Sequence, residues 1–246
     1  QAQESAIIMN AHRINQGEEP VLNEEGTDFF FMRRAYADEV AGTIRELVTK
    51  RLPKFTGCDG LQDMQILTPM RKGTLGVQNL NQVLQQTLNP AAPDKREVQF
   101  RQITFREGDK VMQIKNNYQI DWEAKNRYGI AIDKGTGIFN GDMGVIQEID
   151  LQAEQVEVLF DDYRTVTYSF ESLDELELAY AVTIHKSQGS EYPAVVIPVY
   201  SGPRMLMTRN LIYTAVTRAR ACVCLVGIPE MLQAMVDNEV EQRRYT

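Results

Sequence analysis

Three short segments of this 246-residue sequence gather side chains able to handle phosphate. The first, AYAVTIHKSQGSEYPAVVIPV at 179–199, is an apolar run that delivers a polar loop before a second apolar run begins. The loop holds Thr183, His185, Lys186, Ser187, Gln188, Ser190 and Glu191. Hydroxyls and a lysine suit a phosphodiester backbone, a carboxylate suits a ribose hydroxyl, and Gly189 permits a turn that a side chain would obstruct. A solvated loop has the same composition, and a lone histidine such as His185 is more often structural than catalytic. The second segment, NLIYTAVTRARACVCLVG at 210–227, takes Arg218 and Arg220 from a helix into a buried strand. Arginine is always charged and forks onto phosphate oxygens. Taken alone, TRAR reads more simply as two solvated arginines suited to a helix C-terminal dipole. The third, LTPMRKGTLGVQNLN at 67–81, ends a strand with Arg71 and Lys72 ahead of a helix entry. Backbone N–H groups and basic side chains there could hold phosphates, though a surface turn explains the segment almost as well.

The elements that must position these segments alternate. Helical spacing covers 4–16 up to a stop at Gly17, strand character covers Asp28–Met32, and a second helix covers Tyr36–Leu52, closed by Pro53. A strand at Met64–Thr68, the loop Pro69–Gly73 and a helix from about Leu75 to Leu88 follow. This rhythm predicts an α/β parallel sheet with helices on both faces. After NPAAPDK at 89–95 short strands with Gly and Asp turns take over: GDKVMQIK, GDMGVIQEID, EQVEVLF and YRTVTYSF, with turns at NGD 140–142 and DDYR 161–164. They predict a small antiparallel barrel over 98–177, inserted into a discontinuous domain made of 1–97 and 178–246. The α/β rhythm then resumes with strand LAYAV, strand AVVIPV, a helix around 206–219, strand ACVCLVG and a helix after Pro229. Ligands of such open sheets sit at strand ends.

Composition narrows the classes of function. With 43% hydrophobic and 24% charged residues the chain is ordinary for a globular protein, and no stretch approaches a membrane span. The first residues have no secretion-signal pattern, so a bacterial cytoplasm is the expected location. Cys58, Cys222 and Cys224 are too few and too badly spaced for a zinc site, and no metal ligand set is expected in this chain. A net charge of −8 argues against non-specific coating of nucleic acid, but leaves room for a local track.

Taken together, these segments resemble the C-terminal half of RecD-like helicases of superfamily 1. QAQESAIIMNAHRINQGE is similar to the segment just after that family's fourth motif, ILTPMRKGTLGVQNLN to the segment between the fourth and fifth, YAVTIHKSQGSEYPAVVIP to the fifth, and NLIYTAVTRAR to the sixth. The matches span essentially the whole chain in family order. VMQIKNNY through GIFNGDMGVI resembles the SH3-like barrel inserted in the second, RecA-like motor domain, although Gln119–Gly137 is longer than the family pattern.

The resemblance implies an ATP-dependent DNA helicase, moving 5′ to 3′ and coupling hydrolysis to translocation on single strands and unwinding at duplex junctions, with roles in DNA repair and recombination. It makes Arg218 a catalytic arginine finger on the γ-phosphate. Gly189 and Glu191 would border the nucleotide; Thr183, His185 and Lys186 would face DNA, as would Pro69, Met70, Arg71 and Lys72. The barrel would form part of the strand's path. Expected cofactors are ATP and Mg²⁺, with the metal ligands on an N-terminal motor domain: this sequence has neither a GxxxxGK[ST] loop nor an acidic Mg²⁺-binding motif. The expectation is therefore a fragment with negligible ATPase alone, whose partners are that domain, single-stranded DNA and the subunits of a nuclease complex. The alternatives are a relaxase-linked or RNA helicase of the same superfamily and a non-enzymatic module that binds single-stranded nucleic acid. The scheme also expects the loops around His185 and Arg218 to emerge at one rim of one sheet.

Overall fold

The computed structural model describes residues 5–22, 28–57, 59–60, 62–161 and 163–240, and Cys58 lies outside them. In chain order, α1 (Ala6–Asn15) precedes β1 (Phe29–Arg33) and α2 (Ala37–Glu46). A π-helical turn at Leu47–Arg51 and the short α3 (Leu52–Thr56) prolong α2. Then come β2 (Met64–Thr68), α4 (Val77–Leu88), β3 (Glu97–Phe100), β4 (Ile103–Arg106), β5 (Lys110–Gln113), β6 (Asn117–Lys125) and β7 (Ala131–Ile138). The chain continues through β8 (Met143–Asp150), β9 (Gln155–Phe160), β10 (Arg164–Ser169), β11 (Leu176–Leu178), β12 (Ala181–Thr183) and β13 (Tyr192–Val199). It finishes with α5 (Arg209–Val216), β14 (Ala219–Gly227) and α6 (Pro229–Asp237).

Contacts divide these elements into two units, residues 1–83 with 181–246 and residues 84–180. The sequence placed the divisions at 97/98 and 177/178. The first observed division falls inside α4 because Gln85, on its last turn, and Asn89, the residue that follows the helix, hydrogen-bond to Asp109, the residue before β5. The second falls inside LAYAV, expected as one strand. Leu178 ends β11, paired with Val111, whereas Ala181 starts β12, paired with Ile66.

The first unit is a five-stranded parallel sheet in the order β1-β14-β13-β2-β12. Its central strands are near-continuous apolar runs, and β2 is buried at every position. Helices on both faces demand that pattern, because neither face of the sheet meets water. Helix α5 packs with α1 and α6, and α2 packs on β13 and β14. Cys222 and Cys224 are buried in β14, where desolvation pushes the Cys224 thiol up to about 12.

Pro53 does not end the second helix. It is the second residue of α3, directly after the π-helical turn, and the helix stops instead at Gly57 in a left-handed conformation, φ 71. Gly227, at the end of β14, has φ 148, and a Cβ there would lie 1.8 Å from the Val199 carbonyl oxygen of β13. Gly227→Ala is therefore expected to lower stability by roughly 2–3 kcal/mol in urea unfolding, as overpacking does. An unchanged midpoint would show that the strand ends separate freely.

The second unit is an antiparallel sheet in the order β11-β5-β8-β9-β10-β6-β7, with β3 and β4 as a separate hairpin. The four strands expected for the barrel appear as β5, β8, β9 and β10. The stretch 119–137 lies within a long hairpin, β6–β7, at the sheet edge. Its residues are mostly exposed, which hid the two-residue alternation that would have marked it as strand.

Candidate functional site

The fifth-motif loop leaves the sheet at the C-terminal end of β12, beside the loop that leaves β2. Thr183 is in register with Thr68, and the Ile184 N–H donates to the Thr68 carbonyl at 3.0 Å. Thr183–Lys186 and Pro69–Lys72 therefore emerge side by side at one rim. Arg71, Lys72 and His185 are exposed, Met70 and Lys186 half-buried, and Pro69 and Thr183 buried. Thr183 Oγ1 accepts from the Lys186 N–H at 3.3 Å, closing the start of the loop.

The helix entry does not offer its amides as the sequence suggested. Val77 N–H donates to the Met70 carbonyl and Gln78 N–H to the Arg71 carbonyl. Thr68 Oγ1 donates to the Leu75 carbonyl at 2.6 Å, so the loop is folded back onto α4. Any phosphate held there meets side chains rather than the helix N-terminus.

Arg218 lies at the opposite rim, and the expectation of a shared rim is corrected. His185 follows the C-terminal end of one strand, whereas Arg218 precedes the N-terminal end of another, and in a parallel sheet those ends are on opposite sides. Thr68 is four residues beyond Met64, whose partner on β13 is Ala194, and Tyr192 lies two residues before Ala194. The rims are thus about six residues apart along the strands, roughly 20 Å at 3.3 Å per residue.

The loop between β12 and β13 crosses that distance. Gly189 turns it with φ +81 in open space, and Ser190 and Glu191 arrive beside Arg218. Arg218 Nη1 donates to the Ser190 carbonyl at 3.1 Å, Nε to the Thr214 carbonyl at 3.1 Å and Nη2 to Thr217 Oγ1 at 3.3 Å. The Tyr192 N–H donates in return to the Arg218 carbonyl at 2.9 Å. The guanidinium is half-buried and oriented by neutral oxygens, and among the described residues no carboxylate pairs with it. An oriented arginine whose charge is not neutralised, with part of its donor fork unspent, is suited to an incoming anion. Arg220 is exposed, but it lies on β14 rather than at a helix C-terminus, because α5 ends at Val216.

One rim thus gathers Pro69–Lys72 with Thr183, His185 and Lys186, and the other gathers Gly189, Glu191 and Arg218. Sequence reasoning missed Thr214 and Thr217 as anchors of the guanidinium, although Thr214 is one helical turn before Arg218 and their spacing was legible. Among the described residues no group of three or more His, Cys, Asp or Glu could hold a metal ion.

Comparison with known proteins places this arrangement. Residues 80–160 match the ATP-dependent RecD-like DNA helicase SH3 domain, and residues 178–226 match the UvrD-like helicase C-terminal domain. The chain is 33% identical over 245 residues to the ATP-dependent RecD2 DNA helicase of Deinococcus radiodurans, covering 99% of this chain and 30% of that protein. It is 35% identical over 114 residues to the RecBCD enzyme subunit RecD of Mycolicibacterium smegmatis, covering 44% of this chain and 19% of that subunit. A solved Bacteroides Pif1 helicase in complex with ADP-AlF3 and ssDNA matches with a TM-score of 0.49 at 16% identity, covering 95% of this chain and 51% of that one. The chain spans less than a third of the curated relatives named here, and it belongs to the RecD-like family of superfamily 1 DNA helicases.

Proposed function

We propose that this chain is the C-terminal motor half of an ATP-dependent DNA helicase, residues 1–97 and 178–246 forming the motor domain and residues 98–177 the inserted barrel. It moves 5′ to 3′ on single-stranded DNA and opens duplex junctions. The observation that carries this reading is the loop of Thr183–Glu191: it begins beside Arg71 and Lys72 at one rim and ends against Arg218 at the other.

At the nucleotide rim, ATP supplies the transferable γ-phosphoryl group, with Mg²⁺ bound by a companion domain. Arg218 offers donors to the γ-phosphate oxygens, where charge spreads during transfer, and so acts as the arginine finger. Glu191 faces the ribose, and Gly189 keeps the approach free of a side chain. At the strand rim, Arg71, Lys72 and Lys186 contact phosphates with Thr183 and His185 beside them, which positions a strand without reading its sequence. Because one loop ends at both ligands, closure of the motor on nucleotide shifts the grip on the strand.

Charge supports placing the strand on the motor rim. Residues 84–180 carry ten Lys and Arg against eighteen Asp and Glu, and thus the whole net charge of −8, while the rest of the chain is balanced. Retention of an oriented Arg218 favours an enzyme over a non-enzymatic binding module. The test is unwinding by a protein that also contains the phosphate-binding domain. Duplexes with a 5′ tail should open with ATP and those with a 3′ tail should not; the opposite preference, or equal opening of RNA duplexes, would reject this assignment.

A further inference from the structure

At the strand rim a cleft of about 360 Å³ opens beside His185, its lining shared between polar Thr208 and Asn210 and apolar Met205, Leu206, Leu211 and Val240. Met205 is 86% exposed and Leu206 37%. Exposed apolar side chains on a polar rim are informative only if the backbone beneath them is fixed, and here it is. The amide of Asn238 donates at 2.8 Å to the carbonyls of both Arg204 and Met207. The N–H groups of Leu206 and Met207 both donate to the Pro203 carbonyl. Below the turn, Gly202 is seated between two thioethers, for a Cβ there would lie 3.0 Å from Met70 Sδ and 3.1 Å from Met207 Sδ. Met70 belongs to the loop that carries Arg71 and Lys72, so the turn and that loop form one continuous surface.

We infer that this cleft receives the face of a nucleobase from the strand whose phosphates lie on Arg71, Lys72 and Lys186, with Met205 and Leu206 as its floor. This rests on the proposed strand rim and adds to it residues that bind bases. Charge selects the occupant: the exposed Arg204 precedes Met205 on the turn, Lys186 follows His185, and the exposed Arg71 follows Met70 beneath Gly202, so an apolar group delivered by a polyanion fits, and an apolar peptide gains nothing from those cations. Thioether and aliphatic side chains pack on any base face, and the contact therefore supplies affinity without sequence preference, as a translocating motor requires.

The test uses the 246-residue chain with a short fluorescein-labelled oligothymidylate and an abasic strand of equal length. Wild type should bind the ordinary strand more tightly than the abasic one. Met205→Ala combined with Leu206→Ala should weaken binding of the ordinary strand about fivefold, the size of a thioether–aromatic contact, and leave the abasic strand unaffected. Lys186→Ala should weaken both strands alike. Both altered side chains of the double variant are solvent-facing, and an unchanged thermal melt checks its fold. If the double variant binds both strands as wild type does, or weakens both alike, the inference is overturned while a Lys186 effect leaves the strand rim standing. Failure of the wild-type chain to bind either strand would remove the strand rim and this inference together.

Discussion

Arg218→Ala, in a protein that also carries the phosphate-binding motor domain, lowers ATP turnover at least about a hundredfold and leaves single-strand affinity nearly unchanged. A finger arginine typically contributes about 10³ to 10⁵ in rate, because it meets charge that develops only during phosphoryl transfer. The loss should therefore appear in kcat rather than in the KM for ATP. A structural role for Arg218 makes a different forecast. Its three hydrogen bonds to Thr214, Ser190 and Thr217 join helix α5 to the crossing loop, so their loss alone would lower the melting temperature and disturb strand binding. Arg218→Lys separates the two further: lysine keeps the charge but not the planar fork, and turnover should remain far below wild type. Near-normal turnover in either variant would reject the finger.

Asp109→Ala is expected to cost the most stability of any single change in residues 84–180. The carboxylate is fully buried and accepts from Tyr180 Oη at 2.6 Å, the Arg106 N–H at 2.7 Å, Gln85 Nε2 at 2.7 Å and Asn89 Nδ2 at 2.8 Å. Those donors come from α4 and the residue that follows it, from the end of the β3–β4 hairpin and from the residue that follows β11 by two. Removing the acceptor strands several of them at about 1–3 kcal/mol each, so a loss of at least roughly 3 kcal/mol is expected in urea unfolding. Asp109→Asn keeps the shape but points an amide at donors, and should fall between the two.

The same group predicts a pH dependence. Burial raises the Asp109 pKa, against the four hydrogen bonds that lower it. A carboxyl whose folded pKa is raised holds its proton longer in the folded state, so its contribution is greatest below the unfolded value near 3.9 and is lost as pH rises through the folded pKa. Stability in that window should decline with pH in wild type, and the slope should flatten in Asp109→Asn. An unaltered slope would mean that other groups set it.

Much of the fold was legible because the parallel strands are unbroken apolar runs and the helices keep their spacing. Legibility failed where tertiary structure overrode local pattern. LAYAV reads as one strand, yet its two ends serve different sheets. Pro53 reads as a terminator, yet the helix stops only at Gly57. The β6–β7 hairpin was obscured by its exposure on both faces. The candidate site residues stood out as motifs, whereas their arrangement was misjudged for a reason available from the start. A loop that follows a parallel strand and an arginine that precedes another must lie at opposite ends of the sheet. The Met205 turn gave no signal, because its rigidity comes from Asn238, more than thirty residues later in the chain.

The most direct measurement of the central claim, that one loop joins a strand rim to a nucleotide rim, is strand affinity with and without a non-hydrolysable ATP analogue in the two-domain protein. Wild type should change its single-strand Kd several-fold when the analogue binds, within the usual range of coupling energies of about 1–3 kcal/mol. Arg218→Ala should match wild type without nucleotide and lose that change. An Arg218→Ala protein that still shifts its strand affinity to the full wild-type extent would contradict the account.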